Sequence, residues 1–254
     1  LAGYFKSSRL ADNTAYTNPV SAFITALFPI VQEKVEEVLD KISREPQSLS
    51  NFMILLMKFD DSIRNNFKYD GGDAKAGWKG LTWTVLQTWF PRWEGVEKDF
   101  ALARYEEIIA TKDSGLIDYD STGIGGTKFS YGAAKVMDLL GNVTHVYRPL
   151  RSLSWKIRFL IDIQVEILDR YHNRLKDSLD AYQAMTSAVG RTLHGISREE
   201  QAALEGVGGL ESLCKVYCSA NHVIDALADW SDQMVSRHTL ILKPHLLSLV
   251  PVFC

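Results

Sequence analysis

Residues 150–189 hold neither glycine nor proline, and Pro149 and Gly190 bound them. Within this run Phe159, Ile163, Ile167, Tyr171, Leu175 and Leu179 recur at every fourth position. Side chains four apart share one face of an α-helix, so the spacing predicts one long amphipathic helix. At ~1.5 Å per residue it would run ~60 Å. A compact chain of this length has a radius of gyration of ~18 Å, hence a diameter near ~45 Å. A helix that outreaches its globule either bends or belongs to a rod. The place for a bend is near Gln164, where glutamine and glutamate flank the apolar stripe.

The rest of the chain also reads as helix. Leu1 to Asn18 is polar and aperiodic, an irregular lead-in. Pro19 suits a first helical turn, and Pro29 predicts a kink or restart. Val31, Val35, Val38 and Ile42 continue the pattern until Glu45-Pro46 ends it. A second helix is expected from about Ser48 to Phe67. Tyr69 to Gly80 is turn-rich and reads as a boundary between packing units. Leu81 to Phe90 is aromatic, and Pro91 marks a new helix start. Trp93, Val96, Phe100 and Ala103 then define one face as far as Thr111. After a loop from Asp113 to Ser130, a helix runs to Tyr147, and Ser152 or Ser154 caps the long helix. Ser197-Arg-Glu-Glu resembles a capping box. A last helix runs from Gly209 or Leu210 to about His238, with Leu213, Val216, Ala220, Ile224, Leu227 and Met234 as its stripe. No strand alternation appears, so the fold class is all-α. Three segments are expected: 1–75 as helix belonging to a preceding bundle, 76–238 as a central bundle, and 239–254 as a tail of uncertain fold, broken by Pro244 and Pro251.

Composition excludes several function classes. A net charge of −3 gives no reason to expect a nucleic-acid partner. Three cysteines without framework spacing fit a reducing compartment. No run reaches the ~18–20 apolar residues of a membrane span. The chain begins at Leu1 without a signal-peptide pattern, and reads as a fragment of a longer protein.

The motifs that imitate chemistry are incomplete. Asp60-Asp61-Ser-Ile-Arg64 begins like the magnesium motif of all-α isoprenoid enzymes, but the required third carboxylate is Arg64. It reads as a solvated or salt-bridged helix face. Asp118-Tyr-Asp120 imitates a calcium loop whose twelfth position, Phe129, is not a ligand. Gly123-Ile-Gly-Gly126 lacks the Lys-Ser/Thr of a phosphate cradle. Cys214, Cys218 and His222 share one helical face but offer three ligands where structural zinc takes four, so they read as core packing. Asn142-Val-Thr144 is a glycosylation sequon inside a helix and reads as accidental. No nucleophile–base pair can be assembled.

Three stretches resemble one family. Phe90-Pro-Arg92-Trp93-Glu-Gly-Val96-Glu97-Lys-Asp-Phe100-Ala101-Leu102 is similar to its Phe-x-Arg-Trp-x-x-Val-Glu-x-x-Phe-Ala-Leu segment. Lys156-Ile-Arg-Phe159-Leu160, with Leu168-Asp-Arg-Tyr-His-Asn-Arg-Leu175 downstream, resembles its central long helix. Leu227-Ala-Asp229-Trp230-Ser-Asp232 resembles its Leu-Ala-Asp-Trp-x-Asp segment. The family is the Rint/Tip group of endoplasmic-reticulum tethering subunits of the Dsl-type complex.

The resemblance implies a rod of long antiparallel helices that is not an enzyme, needs no cofactor and has no catalytic or metal-binding residue. It implies a cytoplasmic protein, peripheral at the endoplasmic reticulum, that acts in Golgi-to-endoplasmic-reticulum retrograde transport. Its partners would be other tethering subunits, SNARE proteins and, indirectly, coated vesicles. Phe90, Arg92, Trp93, Glu97, Phe100, Phe159, Asp229, Trp230 and Asp232 would be structural anchors and their flanking charges. An Arg92–carboxylate pair across helices competes with simple solvation of Arg92. The competing readings of the whole are an isoprenoid-type enzyme and a helical scaffold outside membrane traffic.

Overall fold

A computed structural model describes residues 18–73, 75–121, 126–186 and 206–237, with the side chains of 185 and 231–237 left out. The fold is all-α: among the described residues the only extended pairing is an isolated bridge between Ile117 and Ser130. The helices are α1 (Pro19–Ile42), α2 (Pro46–Phe67), α3 (Leu81–Ala110), α4 (Tyr131–Tyr147), α5 (Leu153–Phe159), α6 (Glu166–Thr186) and α7 (Gly206–Arg237). A 3-10 turn spans Lys112–Gly115, and a π-helical turn, Leu160–Val165, joins α5 to α6.

Local chemistry sets several helix starts. The Asn18 side chain accepts the Val20 amide, and Pro19 opens α1 with the φ a first turn needs. Pro46 opens α2 in the same way. The Ser152 hydroxyl accepts the Trp155 amide at 3.5 Å, just before α5 begins. The expected restart at Pro29 and new start at Pro91 do not occur, since α1 and α3 each run on through their proline. Both prolines are exposed. Each removes a single ladder bond on the solvent side, and the helix resumes beyond it.

The chain divides into two compact units, Leu1–Phe100 with His145–Phe159, and Ala101–Thr144 with Leu160–Cys254. In the first, α1 packs on α2. Leu39, Leu49, Met53, Leu86, Phe90, Trp93 and Phe159 are its fully buried side chains. Residues of the loop after α2 pack on it: Phe28 stacks on Trp78 at 4.7 Å and meets Tyr69 edge-on at 5.2 Å. Arg64 fastens the same loop by donating to the carbonyls of Trp78 and Lys79 at 3.2 and 2.8 Å.

In the second unit α6 packs on α7. Ala133, Val136, Leu140, Ile163, Ile167, Tyr171 and Val223 form its interior. Ser219 donates to Ser130 Oγ at 2.9 Å inside this core and accepts the Ser130 amide at 3.2 Å. Gly132 is required at its position, because a Cβ there would stand 2.7 Å from the Ser114 carbonyl oxygen.

The π turn explains the four-residue stripe. Four residues advance ~400° around an α-helix, so the twelve from Phe159 to Tyr171 would drift ~120°. A π turn absorbs one extra residue and reduces that drift to ~20°. Phe159, Ile163, Ile167 and Tyr171 are accordingly all buried, while Leu175 and Leu179, beyond the correction, are half-buried.

On α3 Leu81, Val85, Leu86, Phe90, Trp93, Val96, Ala101, Tyr105 and Ile108 are buried, so Trp93 and Val96 of the expected face are covered. The expected face through Phe100 and Ala103 is corrected, since both are exposed. Phe100 stands only ~20° around the helix from Trp93 and ~40° from the buried Val96, so its exposure reflects what packs at that level of the helix and not its bearing.

Candidate functional site

In the first unit Trp93, Phe90 and Phe159 bring two segments together. The Trp93 and Phe159 rings lie 5.0 Å apart and those of Phe90 and Phe159 5.9 Å apart. Trp155 stacks on Phe90 at 5.5 Å, and Tyr147 closes on Phe159 at 5.3 Å. Aromatic rings prefer such offset and edge-on arrangements because of their quadrupoles. Helix α3 supplies Phe90 and Trp93, and residues 147–159 supply the rest.

Polar groups fix this cluster. Arg158 pairs with the buried Glu94, and its guanidinium lies 4.8 Å over the Phe90 ring. Glu97 Oε1 accepts the Trp93 indole N–H at 2.9 Å and the Ser50 hydroxyl at 2.6 Å, which ties α3 to α2. Burial pushes the Glu97 carboxyl up, and the bonds from Ser50 and Trp93 pull it part of the way back. Of the two arrangements expected for Arg92, the carboxylate pair is not found among the described residues, and the side chain is exposed. Its Nε donates to the Ser43 carbonyl at 3.3 Å, at the C-terminal cap of α1. A cation there complements the negative end of the helix dipole.

Phe100 is 37% exposed and stands outside the cluster. In the second unit Asp229 is exposed and Trp230 half-buried, both on α7. The backbone of Asp232 belongs to α7, and its side chain lies outside what is described.

The motifs that imitated metal chemistry have structural roles. Asp60 is buried, and its two carboxylate oxygens accept the amides of Leu81 and Thr82, each at 2.9 Å. It therefore caps α3 from a neighbouring helix, with Arg64 at 3.9 Å. Of the two alternatives read from the sequence, a solvated or a salt-bridged face, Asp60 is not solvated, and the salt-bridged one holds, since Arg64 also pairs with Asp61 at 3.0 Å. Burial pushes the Asp60 carboxyl up, against the lowering effect of its Thr82, Leu81 and Arg64 neighbours. Sequence reasoning missed this cap because its partners lie more than twenty positions away. Asp118 accepts the Asp120 amide at 3.1 Å in a local turn. Gly123 and Gly125 lie outside the described residues, as do Ser197 and the tail beyond Arg237. Cys214 is exposed rather than packed in a core. The buried line of α7 passes through Ser219, Val223 and Leu227, and Cys214 stands ~140° around the helix from Ser219. His222 stacks on Phe129 at 3.6 Å.

Sequence reasoning also missed Gln164. It is buried, and its amide donates to the Leu140 carbonyl at 2.9 Å and to Thr144 Oγ1 at 2.7 Å. Its place in the π turn matches the position expected for a bend.

Across all described residues no group of three or more His, Cys, Asp or Glu side chains could hold a metal ion. No described helix is long and apolar enough to cross a membrane. No solved structure matches the chain. The model of the RINT-1/TIP-1 family matches residues 4–235, which include all three stretches that carry the resemblance. The chain therefore belongs to the RINT-1/TIP-1 family.

Proposed function

We propose that this chain is a helical part of a tethering-complex subunit that works at the endoplasmic reticulum in retrograde transport from the Golgi. The family match over residues 4–235 carries the reading. The subunit lies on the cytoplasmic side as a peripheral protein and has no catalytic step. Its helices set a fixed reach, and its surfaces bind other tether subunits and SNARE proteins. Coated vesicles are engaged indirectly through those partners. The buried aromatic cluster supports this reading in one respect. Phe90, Trp93 and Phe159, three of the family-motif aromatics, are used in internal packing, while Phe100 remains exposed.

Affinity purification of the full-length parent, followed by mass spectrometry, tests the proposal. Recovery of tether subunits and SNAREs together is the expected result. A parent recovered alone and confined to the nucleus overturns it.

A further inference from the structure

The stretch between Asp138 and Asp162 carries Arg148, Arg151, Lys156 and Arg158 and no carboxylate, in a chain whose net charge is −3. Arg158 is paired with Glu94. Arg148, Arg151 and Lys156 make no ion pair among the described residues, and neither does Lys79, just before α3.

The fold brings like charges together here. Arg64 Nε and Arg151 Nη1 donate to one carbonyl oxygen, that of Trp78, at 3.2 and 3.4 Å. Burial lowers the pKa of the Arg64 guanidinium, and Arg151 lowers it further, against the raising effect of Asp60 and Asp61. Burial and then Arg148 lower that of Lys156 in the same way. Like charges held side by side cost stability until an opposite charge joins them. The nearby carboxylates of Asp60 and Asp61 are both engaged by Arg64, which leaves Lys79 and Arg151 unanswered.

Arg64, Lys79 and Arg151 stand around a recess of about 20 Å³, room for one oxygen-sized atom. Trp83 and Trp155, half-buried with their rings 4.9 Å apart, line it too. The Lys79 ammonium lies 4.9 Å over the Trp83 ring. Thr82, in the first turn of α3, completes the lining. Its hydroxyl favours the ionised form of Asp60, yet the hydroxyl oxygen is buried and makes no hydrogen bond. A buried hydroxyl left alone costs free energy that a ligand oxygen would recover.

We infer that this recess takes the carboxylate of a glutamate or aspartate from an acidic segment of another protein. One carboxylate oxygen accepts the Thr82 hydroxyl. The other faces Arg151 and Lys79, whose charges it neutralises. The indoles of Trp83 and Trp155 pack beside the methylenes of the incoming side chain. A recess one atom wide admits a side chain, whereas a flat bilayer surface cannot enter it. The unpaired cations are also too few to follow a nucleic-acid backbone. The inference does not depend on the tethering reading.

The test titrates two fluorescent peptides against the whole chain by anisotropy. One alternates glutamate with glycine, and the other has glutamine in place of glutamate. The glutamate peptide is expected to bind, less tightly as salt rises, and the glutamine peptide to bind about tenfold or more weakly. Lys79→Glu with Arg151→Glu should weaken the glutamate peptide by about tenfold or more. Lys112→Glu with Lys176→Glu makes the same change of net charge elsewhere and should alter binding by less than about twofold. All four positions are exposed. Thr82→Val keeps the side-chain shape, removes the hydroxyl and should weaken binding severalfold. Far-ultraviolet circular dichroism checks that every variant keeps its helix content. The inference is overturned by absence of binding or by equal binding of the two peptides. It is overturned equally by binding indifferent to the Lys79 and Arg151 reversal or to Thr82→Val, or by an equal loss in the Lys112 and Lys176 control. Capture of the chain by phosphatidylserine vesicles, lost in the Lys79 and Arg151 variant, assigns the site to a membrane and overturns it as well.

Discussion

The Trp93 indole donates to Glu97 one turn further along α3, at 2.9 Å, while Phe100, three residues beyond Glu97, is 37% exposed. Two aromatics of one family motif therefore have different energetic roles. Trp93→Ala removes a fully buried ring and should destabilise the chain by ~3–5 kcal/mol. Phe100→Ala should cost less than ~1 kcal/mol. Urea denaturation of the two variants decides it. Equal losses would mean that Phe100 is covered in solution.

The pH dependence follows from Glu97. Burial raises its carboxyl above the ordinary value of 4.5. A group raised on folding favours the native state below its unfolded pKa, and that contribution is lost as pH rises through the folded pKa. Wild-type stability should therefore contain a component that declines from about pH 4.5 upward. Glu97→Gln keeps an acceptor for Trp93 and Ser50 and carries no charge. It should flatten that component and be more stable than wild type near neutrality. Denaturation midpoints measured across the acid-to-neutral range, with parallel curves for the two proteins, would refute the assignment.

Asp60 makes a separate prediction. Asp60→Ala leaves the Leu81 and Thr82 amides, both on buried residues, without acceptors, at roughly 2–4 kcal/mol. Gly80 belongs to the same arrangement. Its φ of +99° lies in the left-handed region, and a Cβ would stand 2.2 Å from Asp60 Oδ2. Gly80→Ala should therefore destabilise by at least ~1–3 kcal/mol. Because the Asp60 oxygens hold amides, added magnesium should leave the melting temperature of wild type unchanged. A magnesium-dependent rise lost in Asp60→Ala would restore the metal reading.

Helix starts were legible wherever chemistry within a few residues decided them. Pro19 and Ser152 each mark an observed start, and Pro46, read as the end of one helix, opens the next two residues before the expected Ser48, because capping and proline stereochemistry act locally. Pro91 misled, since α3 runs on through it, and of the two alternatives at Pro29, a kink or a restart, the restart does not occur. The long stripe from Phe159 was legible as a face, and Gln164 as the place where the regular helix is interrupted. The means was not legible. Within the π turn Gln164 meets the Leu140 carbonyl and Thr144 on another helix, partners some twenty residues away. Asp60 shows the same limit: Asp-Asp-Ser-Ile-Arg looks like a ligand set until the amides of a helix some twenty residues away are in view. Cys214 and Phe100 were misplaced because spacing gives a direction around a helix and cannot say whether a neighbour covers it.

Gln164 offers the sharpest test of the π turn. The Leu140 carbonyl that accepts its amide also accepts the Thr144 hydroxyl at 2.9 Å. Three groups thus share one buried junction. Gln164→Leu nearly conserves volume and removes both donated bonds, so it should cost about 1–3 kcal/mol. Thr144→Val removes the hydroxyl from the other side. If the three groups act together, the double variant should lose less than the sum of the two single losses, by ~0.5 kcal/mol or more. Strict additivity would mean that Gln164 and Thr144 contribute separately. Hydrogen exchange across 160–165 provides the second readout. The amides of this turn should lose protection in Gln164→Leu while those of α2 keep theirs. Uniform loss across the whole chain would trace the effect to global stability and detach the π turn from this junction.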